Sequence, residues 1–243
     1  MAEKNMMRIN KYMAACGVCS RRQADKLLQE GRVMVNGQVA VTGREVAPTD
    51  LVMVNGKPIQ LPNKPVVLAY YKPVGVVCTE KDKHARRDVI QELGYEKRVT
   101  YAGRLDKDSE GLLLMTDDGT LIDRMMRGAN RHEKEYIVRV DRELNQDDIE
   151  ILKKGVYIKE LEQKTRPCEI EKLGKYTMKI VLTQGLNRQI RRMCETRNYK
   201  VLQLKRVRIM NVFLASLKPG EYRELDDEEC KMLYNQCRLN YPS

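Results

Sequence analysis

Histidine is scarce in this chain: His84 and His132 are the only two in 243 residues. A histidine-ligated metal centre or a Ser-His-Asp triad is therefore poorly served. Glycine loops that cradle phosphates are missing too, since neither G-x-x-x-x-G-K-[ST] nor G-x-G-x-x-G occurs. No apolar run approaches the ~20 residues that span a bilayer, and the charged N-terminus lacks the apolar stretch of a secretory signal. A cytoplasmic protein is the expectation. The seven cysteines, at 16, 19, 78, 168, 194, 230 and 237, are odd in number and dispersed, as reduced and mostly buried thiols would be. Cys16 and Cys19 have metal or redox spacing, but no second pair stands at zinc-ribbon distance, so no metal is expected. Whatever chemistry the chain performs must run on carboxylates, tyrosine and cations.

Positive charge, by contrast, is abundant. Lys and Arg number 45 against 34 Asp and Glu, a formal net charge of +11, and such an excess favours a polyanionic partner. Nucleic acid is the leading candidate. A membrane surface comes second, but no strongly amphipathic helix exposes the large apolar residues that such binding needs. At 243 residues and 42% apolar composition, the chain can form one large domain or a small one followed by a medium one.

Local patterns favour the second arrangement. Arg8 to Ala15 reads as a short helix, and Ser20 with Gln23 forms a capping box for another over Arg21 to Glu30. Two short strands follow, Val33 to Val35 and Leu51 to Val54, each running into an Asn-Gly turn. Three prolines between Pro58 and Pro65 mark a linker, giving expected domains at 1–62 and 63–243. In the second, strands at 66–71, 112–116, 135–140 and 177–182 alternate irregularly with helices at 121–126, 147–154, 188–197 and 227–236. That order predicts an α+β chain whose larger domain is a mixed sheet with flanking helices. No coiled-coil seam argues for a dimer, so a monomer is expected.

Two segments are rich in cations. Arg21, Arg22 and Lys26 give the second helix a basic face, flanked by Lys11 and Arg32; alone, such a face is more often merely solvated. From Leu186 to Arg208 there are eight Arg or Lys and one acid, Glu195. Asn187 is placed to cap a helix in which Ile190, Met193 and Cys194 form the apolar stripe. Gly185 just before it gives room for close approach of a backbone or ligand.

A third segment, Gly103 to Thr116, sets Arg104, Asp106, Lys107 and Asp108 before the apolar run Leu112 to Met115. A carboxylate at the edge of a core stays ionised only if a cation neutralises it. Arg104 and the arginines near position 190 are the available partners. From spacing alone, a structural ion pair is the better reading.

Resemblance shifts that balance. The string Arg8-Ile9-Asn10-Lys11-Tyr12, Ser20-Arg21-Arg22-Gln23-Ala24 and Gly31-Arg32-Val33-Met34-Val35-Asn36-Gly37 resembles the α-L RNA-binding module shared with a small-subunit ribosomal protein. Gly103-Arg104-Leu105-Asp106 with Ser109-Glu110-Gly111, then Lys134-Glu135-Tyr136, then Gln184 to Met193 resemble the ordered motifs of RsuA-type pseudouridine synthases, nearest the RluF branch. Arg188 stands where many relatives have His, as in that branch, and Lys72-Pro73-Val74-Gly75 matches the catalytic-domain entrance.

The resemblance implies isomerisation of a uridine in large-subunit (23S) ribosomal RNA, with a tRNA uridine as a second candidate, by base flipping and without a cofactor. It assigns Asp106 as the catalytic carboxylate, Arg191 as its ionic partner and Tyr136 as the ring that stacks on the flipped base. It places Arg104, Leu105, Lys107, Leu186, Asn187, Arg188, Gln189 and Ile190 around the nucleotide, and Lys11, Arg21, Arg22, Lys26 and Arg32 on the RNA beyond it. Whether Asp106 attacks the sugar or removes a proton from C2′ stays open. The alternative is an α-L-bearing RNA-binding or ribosome-associated factor without activity; an RNA methyltransferase would need a glycine-rich cofactor loop that the chain lacks.

Overall fold

A computed structural model describes residues 6–79 and 88–242. Near the N-terminus, helices Ile9–Ala15 and Arg21–Gln29 pack on a four-stranded sheet ordered Gln38–Val39, Val33–Val35, Val52–Val54 and Lys57–Ile59. Ser20 and Gln23 make the reciprocal capping box, with each side chain on the other's backbone N–H. Asn36 and Asn55 both take positive φ, as do Gly37 and Gly56 after them, which is the backbone that a two-residue hairpin turn requires. A hydrophobic cluster of its own, built on Ile9, Met13, Ala24, Leu28, Val33, Val35, Val52 and Val54, holds these elements together.

The larger region is built on a nine-stranded sheet whose main path runs Glu169–Gly174, Thr177–Leu182, Lys134–Val140, Val201–Ile209, Glu110–Thr116, Val67–Lys72 and Tyr222–Glu224. Strand Val67–Lys72 is buried along its whole length. Its alternate residues serve different cores, Leu68 and Tyr70 on one face and Val67, Ala69 and Tyr71 on the other, as the two-residue period of a strand covered on both sides dictates.

One joint in this sheet differs from the rest. Val201–Ile209 and Glu110–Thr116 run parallel and share only two rungs, Lys205 with Glu110 and Arg206 with Gly111, while every other neighbouring pair is antiparallel. Gly111 sits there at φ +104°, and a Cβ on it would collide with the backbone oxygen of Arg206. Glycine is required on both counts, for the conformation and for the approach.

Several expected elements shift. Val201–Ile209, the strand at the centre of the sheet, lies in the cation-rich run Leu186 to Arg208, where no strand was expected. Helix Gln189–Glu195 is shorter than expected, and Asn187 does not cap it. The N-cap is Arg188, in the left-handed conformation with no side-chain cap bond, and Asn187 instead accepts from Arg192 at 3.1 Å. Gly185 faces open space with no atom within 4 Å of its Cβ position, so no backbone uses the room it leaves.

Candidate active site

A cleft of about 480 Å³ lies over the parallel joint. On one side the loop entering Glu110–Thr116 supplies Arg104, Leu105, Asp106 and Ser109; on the other stand Tyr136, Leu204 and Arg206 from the neighbouring strands. Leu186, Asn187, Arg188, Gln189 and Ile190 close a third wall. Fold topology thus gathers four separate stretches of the sequence.

The two aspartates of the loop have different environments. Asp108 accepts two hydrogen bonds from Arg188, at 3.1 and 2.9 Å, and Arg191 Nε lies 3.3 Å from it as a charge contact. Burial opposes its charge, but the two guanidinium groups outweigh that and hold its carboxyl below the usual range. Asp106 has only one cation within ion-pair reach among the described residues, Arg188 at 3.9 Å, and its side chain is 35% exposed. Among the described residues its carboxylate is therefore present in the cleft but committed to no hydrogen bond.

Arg191 corrects an expectation. It does not pair with Asp106; it is buried, donating to the main-chain oxygens of Asp108 at 2.8 Å and Val201 at 3.1 Å and to Ser109 Oγ at 3.4 Å. Held between the loop and the central strand, it braces the Asp106–Ser109 turn from behind. Much of the downstream basic run is engaged by the protein's own acids, in part at its surface: Arg192 by Glu160, Arg197 by Asp148 and Arg208 by both Glu133 and Glu135.

The remaining expected residues separate by position. Tyr136 and Ile190 are buried and line the cleft, as does Leu105, giving it apolar surfaces. Arg104 and Arg188 are exposed at the rim. Gln189 is buried, holding Leu186 N–H at 3.1 Å through its Oε1. Lys107 is exposed outside the cleft lining, its carbonyl accepting from Gly75 N–H at 2.7 Å. Lys11 and Arg21 border a second cleft together with Asp117, Asp118 and Asp123 of the larger domain, Arg22 and Lys26 are exposed, and Arg32 pairs with Glu30 at 3.1 Å.

Sequence reasoning gave no site role to three cations, two of them buried and Lys134 partly so. Lys72 is fully buried, its ammonium donating to the carbonyls of Pro73 and Val76 at 2.8 and 2.9 Å. Arg206 is 2% exposed, and Lys134 lines the same cleft. A signal for Lys134 existed: it lies two residues from Tyr136 on one strand, hence on the same face. Arg206 had none, because a bulge decides its direction. Tyr136 pairs with Arg206 and Glu135 with Arg208, leaving Val207 as the extra residue, so two arginines that a regular strand would point the same way serve opposite faces.

With this geometry in hand, known proteins can be compared. The family model described as RNA pseudouridylate synthase matches residues 66–196, and the S4 domain model matches residues 7–52. The chain belongs to the RNA pseudouridine synthase family. It is 43% identical over 232 residues to the dual-specificity RNA pseudouridine synthase RluF of Escherichia coli strain K12, covering 94% of this chain and 79% of that one. To the ribosomal large subunit pseudouridine synthase B of Pseudomonas aeruginosa it is 36% identical over 242 residues, covering 96% of this chain and 63% of the relative. A solved pseudouridylate synthase matches with a TM-score of 0.69 at 28% identity, over 93% of this chain and 99% of the other. The protein is thus an RNA-modifying enzyme with an N-terminal S4 domain and a pseudouridine synthase domain. No helix among the described residues is long and apolar enough to cross a membrane.

Proposed function

We propose that this enzyme converts one uridine of large-subunit (23S) ribosomal RNA to pseudouridine in the cytoplasm, acting as a monomer. Residues 1–62 grip structured RNA through Lys11, Arg21, Arg22, Lys26 and Arg32, and residues 63–243 carry out the isomerisation. A tRNA uridine is proposed as a second substrate, in keeping with the dual specificity in the name of its RluF relative. The observation that carries the mechanism is Asp106: among the described residues its carboxylate lies within ion-pair reach of one arginine and is held by no hydrogen bond, while its neighbour Asp108 is consumed by two arginines.

Breaking the bond from C1′ to N1 builds positive character on the ribose, which an adjacent ionised carboxylate stabilises. The base first leaves its stack, at a cost of a few kcal/mol that RNA contacts offset. It then lies against Tyr136 and the walls made by Leu105 and Ile190, with its phosphates near Arg104 and Arg188. Asp106 acts either by bonding to C1′ or by taking the C2′ proton. The base turns and C5 bonds to C1′, while the Asp106–C1′ bond breaks or, in the other route, the C2′ proton returns; the C5 proton leaves and N1 gains one. Reactant and product are isomers at the same oxidation level, so the step is balanced without a cofactor.

The test is primer extension on carbodiimide-treated large-subunit RNA from cells lacking the gene, complemented with wild type or with Asp106→Ala. A single stop restored only by wild type supports the reading and locates the uridine. Identical patterns in all three strains, in ribosomal RNA and in tRNA, would overturn it.

A further inference from the structure

Cations in the cleft sort by depth. Arg104, Arg127, Lys164 and Arg188 stand exposed at its rim, while Lys134 is partly and Arg206 almost wholly buried. Phosphates belong to a hydrated backbone and meet the rim; the part of a flipped nucleotide that reaches the floor is its base.

The floor cations also lack counter-ions. Arg206 donates to the carbonyls of Leu112 at 2.7 Å and Arg104 at 3.4 Å, while its Nη2 is buried without a partner. Lys134 has a single bond, 3.4 Å to the carbonyl of His132, and neither cation lies in an ion pair among the described residues. Carboxylates were available next door: Glu133 and Glu135 flank Lys134 in sequence, yet both are engaged by Arg208. A buried and a partly buried charge without an anion are costly to keep. Burial, reinforced by Arg206, pushes the Lys134 ammonium down to about 8, as expected of a site that has charge and no counter-charge.

Resting on the function proposed above, we infer that Lys134 and Arg206 form the electrophilic floor of the site, taking up the negative charge of the departing uracil. When the C1′–N1 bond breaks, its electron pair passes to N1 and spreads to O2 and O4; this holds whether Asp106 bonds to C1′ or removes the C2′ proton. Arg206 faces Tyr136 directly across the ladder, so a ring stacked on Tyr136 presents its edge to the pair. Charge that appears only as the bond breaks is stabilised by preorganised donors at no reorganisation cost. The same floor retains the anion while it turns to offer C5.

The test compares the leaving group. Transcripts of the RNA stem-loop carrying the modified uridine are made with uridine or with 5-fluorouridine, whose base leaves more readily as an anion. Fluorine at C5 leaves no proton for the last step, so single-turnover rates are read on both bases as loss of the parent nucleoside, by chromatography of nuclease digests, for wild type, Arg206→Gln and Lys134→Met, with RNA affinity and melting temperature measured alongside. On uridine, loss of a donor to developing charge is expected to slow Arg206→Gln by about 10²–10³-fold and Lys134→Met by less. On 5-fluorouridine both losses should shrink by about tenfold or more, with RNA affinity unchanged. Lys134→Met keeps the test decisive if Arg206→Gln fails to fold. Equal losses on both bases, or weaker RNA binding at an unchanged single-turnover rate, would overturn the inference. A wild-type enzyme inactive on both transcripts would remove the reading beneath it.

Discussion

On helix Arg21–Gln29 the cations stand in water; the side chain of Lys26 is 76% exposed. In the cleft over the parallel joint Arg206 is 2% exposed and, among the described residues, lacks a counter-ion. The first kind contributes long-range, salt-screened attraction and tolerates substitution. The second kind lowers stability, so its presence indicates a use. Net charge alone registers both kinds alike, and it is burial that tells a cation for holding RNA from one for reacting with it.

The sharpest way to break this contrast is at the joint beneath the cleft. Gly111→Ala should destabilise the protein by about 3 kcal/mol or more, because it adds strain at positive φ to a backbone collision; an unchanged thermal melt would mean that the two rungs are dispensable. Next in size, Asp106→Asn should bring isomerisation below detection while thermal stability and RNA affinity stay near wild type. Appreciable turnover by that variant would return Asp106 to the structural ion pair of the plain sequence reading.

Asp108→Asn comes third. It leaves buried Arg191 without its ionic partner, at a cost of about 1 kcal/mol after allowance for the half-exposed carboxylate, and it should slow turnover by loosening the turn that carries Asp106. Unaltered turnover would deny Arg191 its bracing role.

Lys134→Met sharpens the comparison from the other side, since it should raise the melting temperature at neutral pH by about 2–4 °C, the shift that ~1 kcal/mol gives a chain of this size. Below pH 8 the native and unfolded chains both hold the Lys134 proton, and the burial penalty is in force. Between about 8 and the ordinary lysine value only the unfolded chain holds it, so this residue makes stability rise with pH there. Difference melts between wild type and Lys134→Met should show that rise disappearing in the variant. The smallest effect belongs to the exposed face. Arg22→Ala with Lys26→Ala should weaken all RNAs alike and reduce the salt slope by roughly 0.7–0.9 per lost phosphate contact; a change confined to one RNA would mean that this face reads more than charge.

Legibility followed how local the determining physics is. Both Asn-Gly hairpins, the Ser20–Gln23 box and the final helix Asp227–Gln236 depend on residues within a turn of one another, and all formed where their chemistry put them. The central strand Val201–Ile209 was unreadable because Lys205, Arg206 and Arg208 break any alternation with water; each touches a residue far off in sequence, Tyr71, Leu112 and the Glu133–Glu135 pair. Within the site, the motif residues of the cleft wall were readable as a group. That Arg191 supports the loop from behind, while Asp108 takes the arginines and Asp106 is left uncommitted, depends on side-chain directions that no spacing encodes.

The two-rung joint at Gly111 has a consequence for how tightly this fold is constrained. Along the central strand Lys205 leans on the ring of Tyr71 at 4.9 Å, while its neighbour Arg206 reaches the cleft floor. A slip of one residue would exchange the faces of the whole strand, sending the guanidinium to the wrong side of the sheet. The joint therefore works as a gauge block: by fixing the offset between two half-sheets, it sets the distance from the carboxylate of one to the cations of the other, and an insertion on either side must be absorbed before it reaches those two rungs.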